Sequence, residues 1–346
     1  MTTAVVICPG RGTYNKTELG YLARHHDDKG ALLAGFDRLR VEAGQETLTA
    51  LDGAARYSVA HHTRGDNASA LIYACTLADF LSIRPDIEIV AITGNSMGWY
   101  SALACGGALS PDDGFGLVNT MGTLMQERLI GGQLVYPHMG EDWRADPARK
   151  EALLALVAEI DAREGHRLAL SIDLGGMLVF GGDEAGLAAF AAAVEPVDGR
   201  FPMRLANHAA FHTGLQAPVA EQARQRLSAA MFGQPRLPLI DGRGAIWWPG
   251  ATRIDALWDY TLGHQVVAPY DFTRAVRTAA LEFAPDLFIV PGPGTTLGGA
   301  VAQSLILCKW KGMDCKAAFH ERQQAEPLLV AMGMEAQRNL ATGEGD

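Results

Sequence analysis

The sequence predicts an α/β fold in which a large body on a parallel sheet carries a smaller inserted subdomain. Short apolar runs rich in β-branched residues recur at residues 4–8, 87–93 and 286–290, each followed by a glycine-containing turn and a helical pattern. Strands that alternate with helices in this way form parallel sheets. Between residues 133 and 206 the order changes to β-α-β-β-α-β, which is the ferredoxin-like unit.

These patterns divide the chain into two parts. We expect residues 1–132 and 207–346 to form the body and residues 133–206 to form the ferredoxin-like subdomain. An insert of this size is typical for that unit.

The elements of the body follow from local signals. The strand at residues 4–8 ends in a tight PGRG loop. Ser110, Pro111 and two following acidic residues are a strong helix start, because the serine can cap the helix and proline suits its first position. Body helices are predicted at residues 30–42, 67–81, 110–131, 215–230 and 271–281, with one more after residue 98 that runs through residue 105. The last six residues, 341–346, are rich in glycine and acids and are predicted to fray.

The elements of the subdomain follow the same reasoning. Strands are predicted at residues 134–138, 167–173, 177–181 and 201–206, and helices at residues 147–164 and 183–194. Two adjacent glycines at 175–176 separate the middle strands and predict a tight turn between them.

Composition narrows the classes of function. The chain has a net charge of −10, and an acidic surface argues against general binding to nucleic acid or to an anionic membrane. No apolar run reaches the roughly 18 residues that span a bilayer, and the N-terminus lacks the basic start of a signal peptide. The five cysteines are scattered without a C-x-x-C pair, which predicts buried free thiols and no metal site. We expect a cytoplasmic monomer.

A G-x-S-x-G pattern stands directly after the second buried strand, at residues 94–98. The pattern places a serine on a sharp turn between strand and helix, where the glycines permit a tight backbone. The hydroxyl of Ser96 then lies at the start of a helix, where the next backbone N–H can stabilise an oxyanion. Ser96 is therefore the predicted nucleophile of an α/β-hydrolase-like body.

A serine nucleophile needs a base, and the chain has ten histidines. Two adjacent pairs, at residues 25–26 and 61–62, lie among charged residues and are predicted to be at the surface. His212 is favoured, since it lies on a loop of small residues between an extended segment and a helix. The remaining candidates are His138, His166, His208, His264 and His320.

The serine turn at residues 94–98 is called the elbow below. Four further motifs accompany it: CPGRG at residues 8–12, FHTGL at 211–215, QVVAP at 265–269 and VPGPG at 290–294. Together with GNSMGWYSAL at residues 94–103, they resemble the F-P-G-Q-G, F-H-S-x-L, Q-x-x-x-P, E-x-G-P-G and G-H-S-x-G-E-Y-x-A-L motifs of the malonyl-CoA:acyl carrier protein transacylases. These are acyltransferases of fatty acid and polyketide synthesis. The motifs occur in the family's order, and the family also carries a ferredoxin-like insert between elbow and histidine.

The resemblance implies a ping-pong acyl transfer. Ser96 would attack an acyl-CoA thioester while His212 takes its proton, and the acyl group would then rest on Ser96 as an ester. The phosphopantetheine thiol of an acyl carrier protein would accept it. The backbone N–H groups of Met97 and Arg11 would form the oxyanion hole, and the backbone carbonyl of Gln265 would orient the base. Acyl-CoA is then a substrate, and no cofactor is bound permanently.

One departure from the family concerns the acyl group. The family's helix after the elbow carries an arginine that pairs with the malonyl carboxylate, whereas Met121 occupies that place here. Methionine has no charge and no hydrogen-bond donor, so a malonyl carboxylate would be buried without a partner. This would cost several kcal/mol of binding free energy, which corresponds to about a thousandfold lower preference for malonyl. We expect an uncharged acyl group. A relocated cation, Arg11 or Arg128, is the alternative that would restore malonyl binding.

Two further departures flank the nucleophile. Asn95 replaces the family's histidine, and Trp99 replaces its glutamate. Both are predicted to line the acyl pocket with Met121, although Trp99 could instead pack on the elbow helix. Thr213 replaces the family's serine after the base, which is a mild change.

Three other functions remain open from the sequence. The chain could hydrolyse acyl groups on carrier proteins, since the loss of the arginine is compatible with such a role. It could be a non-catalytic docking protein that kept the fold, although intact Ser96 and His212 argue against this. It could also be a standard α/β-hydrolase, which would use a late histidine such as His320 after an acidic residue.

Overall fold

The computed structural model describes residues 1–343, and its two sheets confirm the predicted α/β class. Strands within these residues are β1 (Thr2–Cys8), β2 (Ile87–Gly94), β3 (Gly132–Pro137), β4 (Leu168–Leu174), β5 (Met177–Gly182), β6 (Met203–Arg204), β7 (Leu239–Ile240), β8 (Ile246–Trp247), β9 (Tyr270–Asp271), β10 (Leu287–Val290) and β11 (Leu329–Ala331).

Helices pack against both sheets. The α-helices are α1 (Tyr21–His25), α2 (Gly30–Glu42), α3 (Leu48–Asp52), α4 (Val59–His62), α5 (Gly65–Phe80), α6 (Gly98–Cys105), α7 (Pro111–Arg128), α8 (Pro147–Asp161), α9 (Glu184–Ala193), α10 (Ala217–Arg226), α11 (Ile254–Asp259), α12 (Gln265–Val267), α13 (Phe272–Phe283), α14 (Thr296–Leu307), α15 (Lys316–Ala325) and α16 (Glu335–Thr342). A π-helical turn, Tyr260–His264, joins α11 to α12. Short 3₁₀ turns occur at Lys16–Glu18, Asp27–Lys29, Gly214–Gln216, Ala229–Met231 and Trp310–Gly312.

The body sheet has six strands in the order β11-β10-β1-β2-β7-β8. All neighbours are parallel except β7 and β8, which form a short antiparallel pair. Cys8 at the end of β1 pairs with Gly94 at the end of β2. Because the carboxyl ends of neighbouring parallel strands meet at one edge, the loop after β1 lies beside the serine turn after β2.

The core explains why these segments form a sheet covered by helices. Residues 4–8 of β1 are fully buried, as a central strand with helices on both faces requires. Helix α5 is buried almost all round and packs closely against α7, so it behaves as a core helix. The predicted start of α7 is confirmed: the Ser110 hydroxyl accepts a hydrogen bond from the Asp113 backbone at 3.1 Å, and Pro111 holds the first position.

The second sheet has the order β6-β3-β5-β4-β9. Its first four strands, with α8 and α9, have the strand order and antiparallel pairing of the ferredoxin-like unit. The fifth strand comes from the body, where Tyr270 and Asp271 extend the edge in parallel with β4. The two-residue β9 was not predicted, because a segment so short carries no periodicity. The division at residues 133–206 stays a prediction.

Several local predictions are corrected. His26 and His62 are buried rather than at the surface: the His26 ring lies 2.8 Å from Asp79, and the His62 ring bonds backbone carbonyls. The segment predicted to fray includes the end of α16, and only residues 344–346 lie outside the described part.

The structure also bears on the predictions about cysteines, membrane-spanning segments and metal ligands. Cys8, Cys75 and Cys105 are buried and free, whereas Cys308 and Cys315 are half-buried. Within residues 1–343, no helix combines the length and apolar character that a membrane crossing requires. The same residues hold no group of three or more metal-ligating side chains.

Candidate active site

The turn that carries Ser96 is held in a conformation that its flanking glycines make possible. Ser96 has a φ of +56°, in the left-handed region that L-residues rarely adopt. A Cβ on Gly94 would lie 2.3 Å from the Gly98 backbone, and one on Gly98 would lie 2.1 Å from the Cys8 carbonyl oxygen. The turn therefore packs against the end of β1 with no room for side chains at these two positions, and Ser96 is lifted to the start of α6.

The base predicted from the sequence lies within hydrogen-bond distance of this hydroxyl. Ser96 Oγ is 2.7 Å from His212 Nε2, although the two residues are 116 positions apart. His212 Nδ1 lies 2.6 Å from the backbone carbonyl oxygen of Gln265. A carbonyl can only accept, so Nδ1 carries the proton and the lone pair of Nε2 faces the serine hydroxyl. This is the tautomer that a general base needs.

Gln265 contacts both residues, because its backbone carbonyl binds His212 and its side chain binds the backbone of Ser96. Its Nε2 donates to the backbone carbonyl of Ser96 at 3.1 Å, and its Oε1 accepts from the Tyr100 hydroxyl at 2.8 Å. Gln265 follows the π-helical turn and begins α12, which ends two residues later. Its backbone carbonyl is left free for His212, because the last carbonyls of a helix have no partner within it.

Burial weakens the base. His212 is 4% exposed, and burial lowers the pKa of its imidazole from 6.5 to about 4, while the hydrogen bond to the Gln265 carbonyl opposes the shift. A neutral carbonyl stabilises the imidazolium ion less than a carboxylate would. The site therefore holds a neutral imidazole at pH 7.

Two backbone N–H groups at the site, those of Met97 and Arg11, have no acceptor within residues 1–343. Both residues line the same small pocket as Ser96. Met97 is the residue after the serine, and Arg11 lies on the loop after the neighbouring strand β1. Unpaired N–H groups beside a nucleophile can accept the charge of a tetrahedral intermediate.

A narrow pocket of about 20 Å³ opens from Ser96. Its walls include Val118, Met121 and Met125 of α7, together with Tyr100 of α6 and Val266 of α12. Met121 is 1% exposed and lines this pocket. The lining is largely apolar, and the space holds only about one water-sized group.

Arg11 also lines this pocket. Its Nη2 donates to the backbone carbonyls of Thr63 and Asn207, at 2.7 and 2.9 Å. Its Nε is buried without a partner, and its Nη1 has no acceptor within residues 1–343. Burial lowers the pKa of the guanidinium to about 10, against the opposing charge of Asp66. Arg11 remains a cation at pH 7 with unused donors.

A second, larger cavity of about 420 Å³ connects Ser96 with the subdomain. Its walls include strand residues of the second sheet, among them Gln133 and Val135, and the start of α14. Asn95, predicted for the acyl pocket, lines this cleft instead.

Trp99 does not line either of these cavities, which corrects its predicted place in the acyl pocket. Its indole is fully buried, donates to the Thr261 hydroxyl at 3.0 Å and meets the Tyr260 ring edge-on at 5.4 Å. Successive helical residues point about 100° apart, so Tyr100 rather than Trp99 faces the pocket. Arg128, the other candidate cation, is exposed at the end of α7, near Gln222.

The rival histidines lie elsewhere in the described chain. His208 lines the cleft, and burial and then the Arg11 charge lower its pKa to about 3. His320 lies on α15 against the Trp143 ring, His138 bonds the Gly175 carbonyl, and His264 stacks on Tyr260. Of the histidines within residues 1–343, only His212 forms a hydrogen bond with Ser96.

Several wall residues were missed by sequence reasoning. Val118 and Met125 share a face of α7 with Met121, at helical spacings of three and four, so this periodicity could have predicted them. Ser69 and Phe211 also line the pocket. Ser69 reaches it because α5 packs closely on α7, and that contact has no local signature in the sequence.

Comparison with known proteins agrees with this architecture. No family model matches the chain. The chain is 27% identical to the malonyl CoA-acyl carrier protein transacylase of Haemophilus influenzae over 234 residues, which cover 67% of this chain and 69% of that protein. Across the first bacterial relatives, the matched stretch spans 63 to 69% of their length.

Solved structures show the same fold along almost the whole chain. The malonyl-CoA:acyl carrier protein transacylase of Xanthomonas oryzae has a TM-score of 0.73 at 20% identity, covering 99% of this chain and 98% of its own. A malonyl-transacylase in complex with a type II polyketide synthase acyl-carrier protein has a TM-score of 0.74 at 20% identity, with complete coverage of both chains. These relatives confirm the resemblance and the fold predicted from the five motifs.

Proposed function

We propose that this chain, a homologue of the malonyl CoA-acyl carrier protein transacylases, moves an acyl group from acyl-CoA to the phosphopantetheine thiol of an acyl carrier protein. The observation that carries the proposal is the 2.7 Å contact between Ser96 Oγ and His212 Nε2. The names of the relatives support the chemical classes of donor and acceptor. The cytoplasmic location and the monomeric state stay predictions.

In the first half-reaction, Ser96 Oγ attacks the thioester carbon as its proton passes to His212 Nε2. The carbonyl oxygen gains the negative charge and lies between the backbone N–H groups of Met97 and Arg11. When the C–S bond breaks, the CoA sulfur leaves as a thiol with the proton from His212. The acyl group remains as an ester on Ser96.

The second half-reaction reverses these steps with a new thiol. His212 takes the proton of the phosphopantetheine thiol, the sulfur attacks the ester carbon, and Ser96 leaves with the proton returned by His212. One thioester is exchanged for another, so the reaction needs proton transfer but no electron transfer. Acyl-CoA is therefore proposed as a substrate, with no permanently bound cofactor.

The nature of the acceptor favours transfer over hydrolysis. A thiol gives up its proton far more readily than water does and is the stronger nucleophile once deprotonated, so a thiol held next to the ester reacts faster than water with the same base. The largely apolar lining of the pocket also gives a water molecule few polar partners beside the acyl group. Hydrolysis of acyl groups on carrier proteins is the less favoured function for these reasons.

We propose that the acyl group is uncharged. Met121 occupies the wall where a carboxylate would need a donor, and its neighbours Val118 and Met125 are apolar. A carboxylate next to them would lose its hydration without replacement. A very small acyl group, such as acetyl, suits the narrow space and the apolar lining of the pocket.

One observation favours a second candidate, the transfer of malonyl. Arg11 lines the same pocket, with a buried Nε that has no partner and an Nη1 that has no acceptor within residues 1–343. A buried cation whose donors are unused attracts an anion. In this case the carboxylate would be held from the loop after β1 rather than from α7.

Transfer and hydrolysis can be separated by following the acyl-enzyme. We expect Ser96 to be acylated by acetyl-CoA and the ester to persist in buffer, then to move to a holo carrier protein at least about 100-fold faster than it is lost to water. Intact-mass spectrometry of both proteins measures each rate. The apo carrier, which lacks the thiol, is the matched control. Loss at the same rate with holo carrier, apo carrier and buffer would identify a hydrolase.

The pH dependence of acylation reports the base. Burial disfavours the imidazolium ion, so His212 stays neutral from pH 7 down to about 5 and becomes protonated near its pKa of about 4. We expect the single-turnover rate of Ser96 acylation to be flat between about pH 7 and 5 and to fall below that. Circular dichroism at each pH checks that the chain remains folded. A midpoint near 6.5 would contradict the predicted shift.

A further inference from the structure

Gln133, at the start of strand β3, is a polar residue in a largely apolar part of the cleft. It is 2% exposed and lines the cavity that leads to Ser96. The neighbouring wall residues of the second sheet are Val135, Ile172, Leu174, Met177 and Val179. A buried amide in such surroundings needs partners for its donors and for its acceptor.

Hydrogen-bond logic defines the orientation of this amide. The Ser171 hydroxyl donates its only proton to the backbone carbonyl of Phe211, at 2.8 Å. Ser171 Oγ can then only accept from Gln133, which lies 2.6 Å away, so the amide must present Nε2 to it. The carbonyl oxygen Gln133 Oε1 therefore points away from Ser171, and it accepts no hydrogen bond within residues 1–343.

The same chain of hydrogen bonds ends next to the base. Phe211 immediately precedes His212, whose φ of +55° lies in the left-handed region. A non-glycine residue keeps such a conformation only when its surroundings hold it. Ser171 of β4 holds the Phe211 carbonyl, and Gln133 of β3 holds Ser171. Two strands of the small subdomain thus brace the loop that presents the imidazole to Ser96.

We propose that Gln133 Oε1 accepts a hydrogen bond from a secondary-amide N–H of the substrate's thiol arm. This inference rests on the proposed function, since phosphopantetheine arms carry two such amides between apolar methylene groups. The apolar walls of the cleft fit the methylene groups, and Oε1 supplies the acceptor that an N–H requires. Gln133 binds the arm directly, and it acts on His212 only as a positioning residue.

Arm binding and base positioning are coupled through one amide. A donor at Oε1 polarises the Gln133 amide and strengthens the bond from Nε2 to Ser171, because hydrogen bonds in a chain reinforce one another. The arm therefore tightens the brace on the His212 loop when it enters the cleft. Simple acyl donors without the amide lack this effect.

A pair of matched donors tests the inference. The acetyl thioester of N-acetylcysteamine carries one amide N–H, and its analogue with an ester oxygen in place of that N–H has nearly the same shape. In the unmodified chain, we expect kcat/KM for Ser96 acylation to be about five- to tenfold higher with the amide donor. Gln133→Leu should bring this ratio to about one, whatever it does to the absolute rates.

Ser171→Ala is the control for base positioning, because it removes the bond to the Phe211 carbonyl and keeps the Gln133 side chain. It should slow the amide donor and the ester donor alike. Gln133→Met, checked by circular dichroism, replaces Gln133→Leu if the latter does not fold. An unchanged ratio in the Gln133 variants overturns the inference. If neither donor nor any acyl-CoA labels Ser96 in the unmodified chain, the proposed function itself fails.

Discussion

The His212→Ala variant is expected to acylate Ser96 roughly 10⁴-fold more slowly than the unmodified chain. His212 Nε2 lies 2.7 Å from Ser96 Oγ, and no other histidine within residues 1–343 forms a hydrogen bond with this serine. Without the imidazole, the hydroxyl must attack while it still holds its proton. Single-turnover acylation by acetyl-CoA, followed by intact mass, measures the loss.

Three control variants locate the effect. Ser96→Ala should give no acyl adduct at all, because no other group replaces the nucleophile. His208→Ala and His320→Ala should acylate at nearly the normal rate, since the first ring lies along the cleft and the second packs on Trp143. Normal acylation in His212→Ala with a loss in His320→Ala would favour a standard α/β-hydrolase arrangement and overturn the proposed site.

The second large effect concerns the acyl pocket. In the unmodified chain, we expect acetyl-CoA to label Ser96 about 1000-fold more efficiently than malonyl-CoA, because no donor on α7 meets a carboxylate. Met121→Arg should raise malonyl labelling by about 100-fold or more and lower acetyl labelling. A guanidinium at this buried position supplies two parallel hydrogen bonds to a carboxylate and leaves an unpaired charge beside an acetyl group. A panel of acyl-CoA donors scored by kcat/KM for acylation measures both changes.

Met121→Leu and Arg11→Gln separate the two candidate acyl classes. Met121→Leu changes shape without charge and should keep the acetyl preference. Arg11→Gln removes the cation but keeps the backbone N–H that we propose for the oxyanion hole, so it should leave acetyl labelling intact. If the unmodified chain takes malonyl as fast as acetyl, and Arg11→Gln loses malonyl alone, then Arg11 is the carboxylate anchor and the inference from Met121 is wrong.

Local sequence signals predicted the elements well where the backbone itself demanded particular residues. The helix starting at Pro111 needs a capping serine and tolerates proline only at its first turn. The elbow needs glycines at 94 and 98, because the Gly98 and Cys8 backbones leave no space for a Cβ. Such requirements are visible within a few residues. The short strand β9 and the π-helical turn before Gln265 have no comparable signal.

Predictions about side-chain direction were less reliable, as Trp99 and Tyr100 show. Both belong to the elbow motif, but a rotation of about 100° about the helix axis sends Tyr100 into the pocket and Trp99 into the core. The histidine pairs show the same limit. His26 and His62 lie among charged neighbours in sequence, but each is enclosed by distant segments.

The sequence by itself determined the α/β class and the ferredoxin-like order of the insert, and it identified Ser96 and His212 as the candidates for nucleophile and base. These follow from backbone requirements and from motifs whose residues lie close together in the chain. Only the tertiary structure decided which residues share a cavity: it placed Arg11 and Met121 in the walls of one pocket, and it linked Gln133 through Ser171 to the loop that carries His212. The reason is that pocket walls are assembled from elements far apart in sequence, and the direction of each side chain depends on how those elements pack.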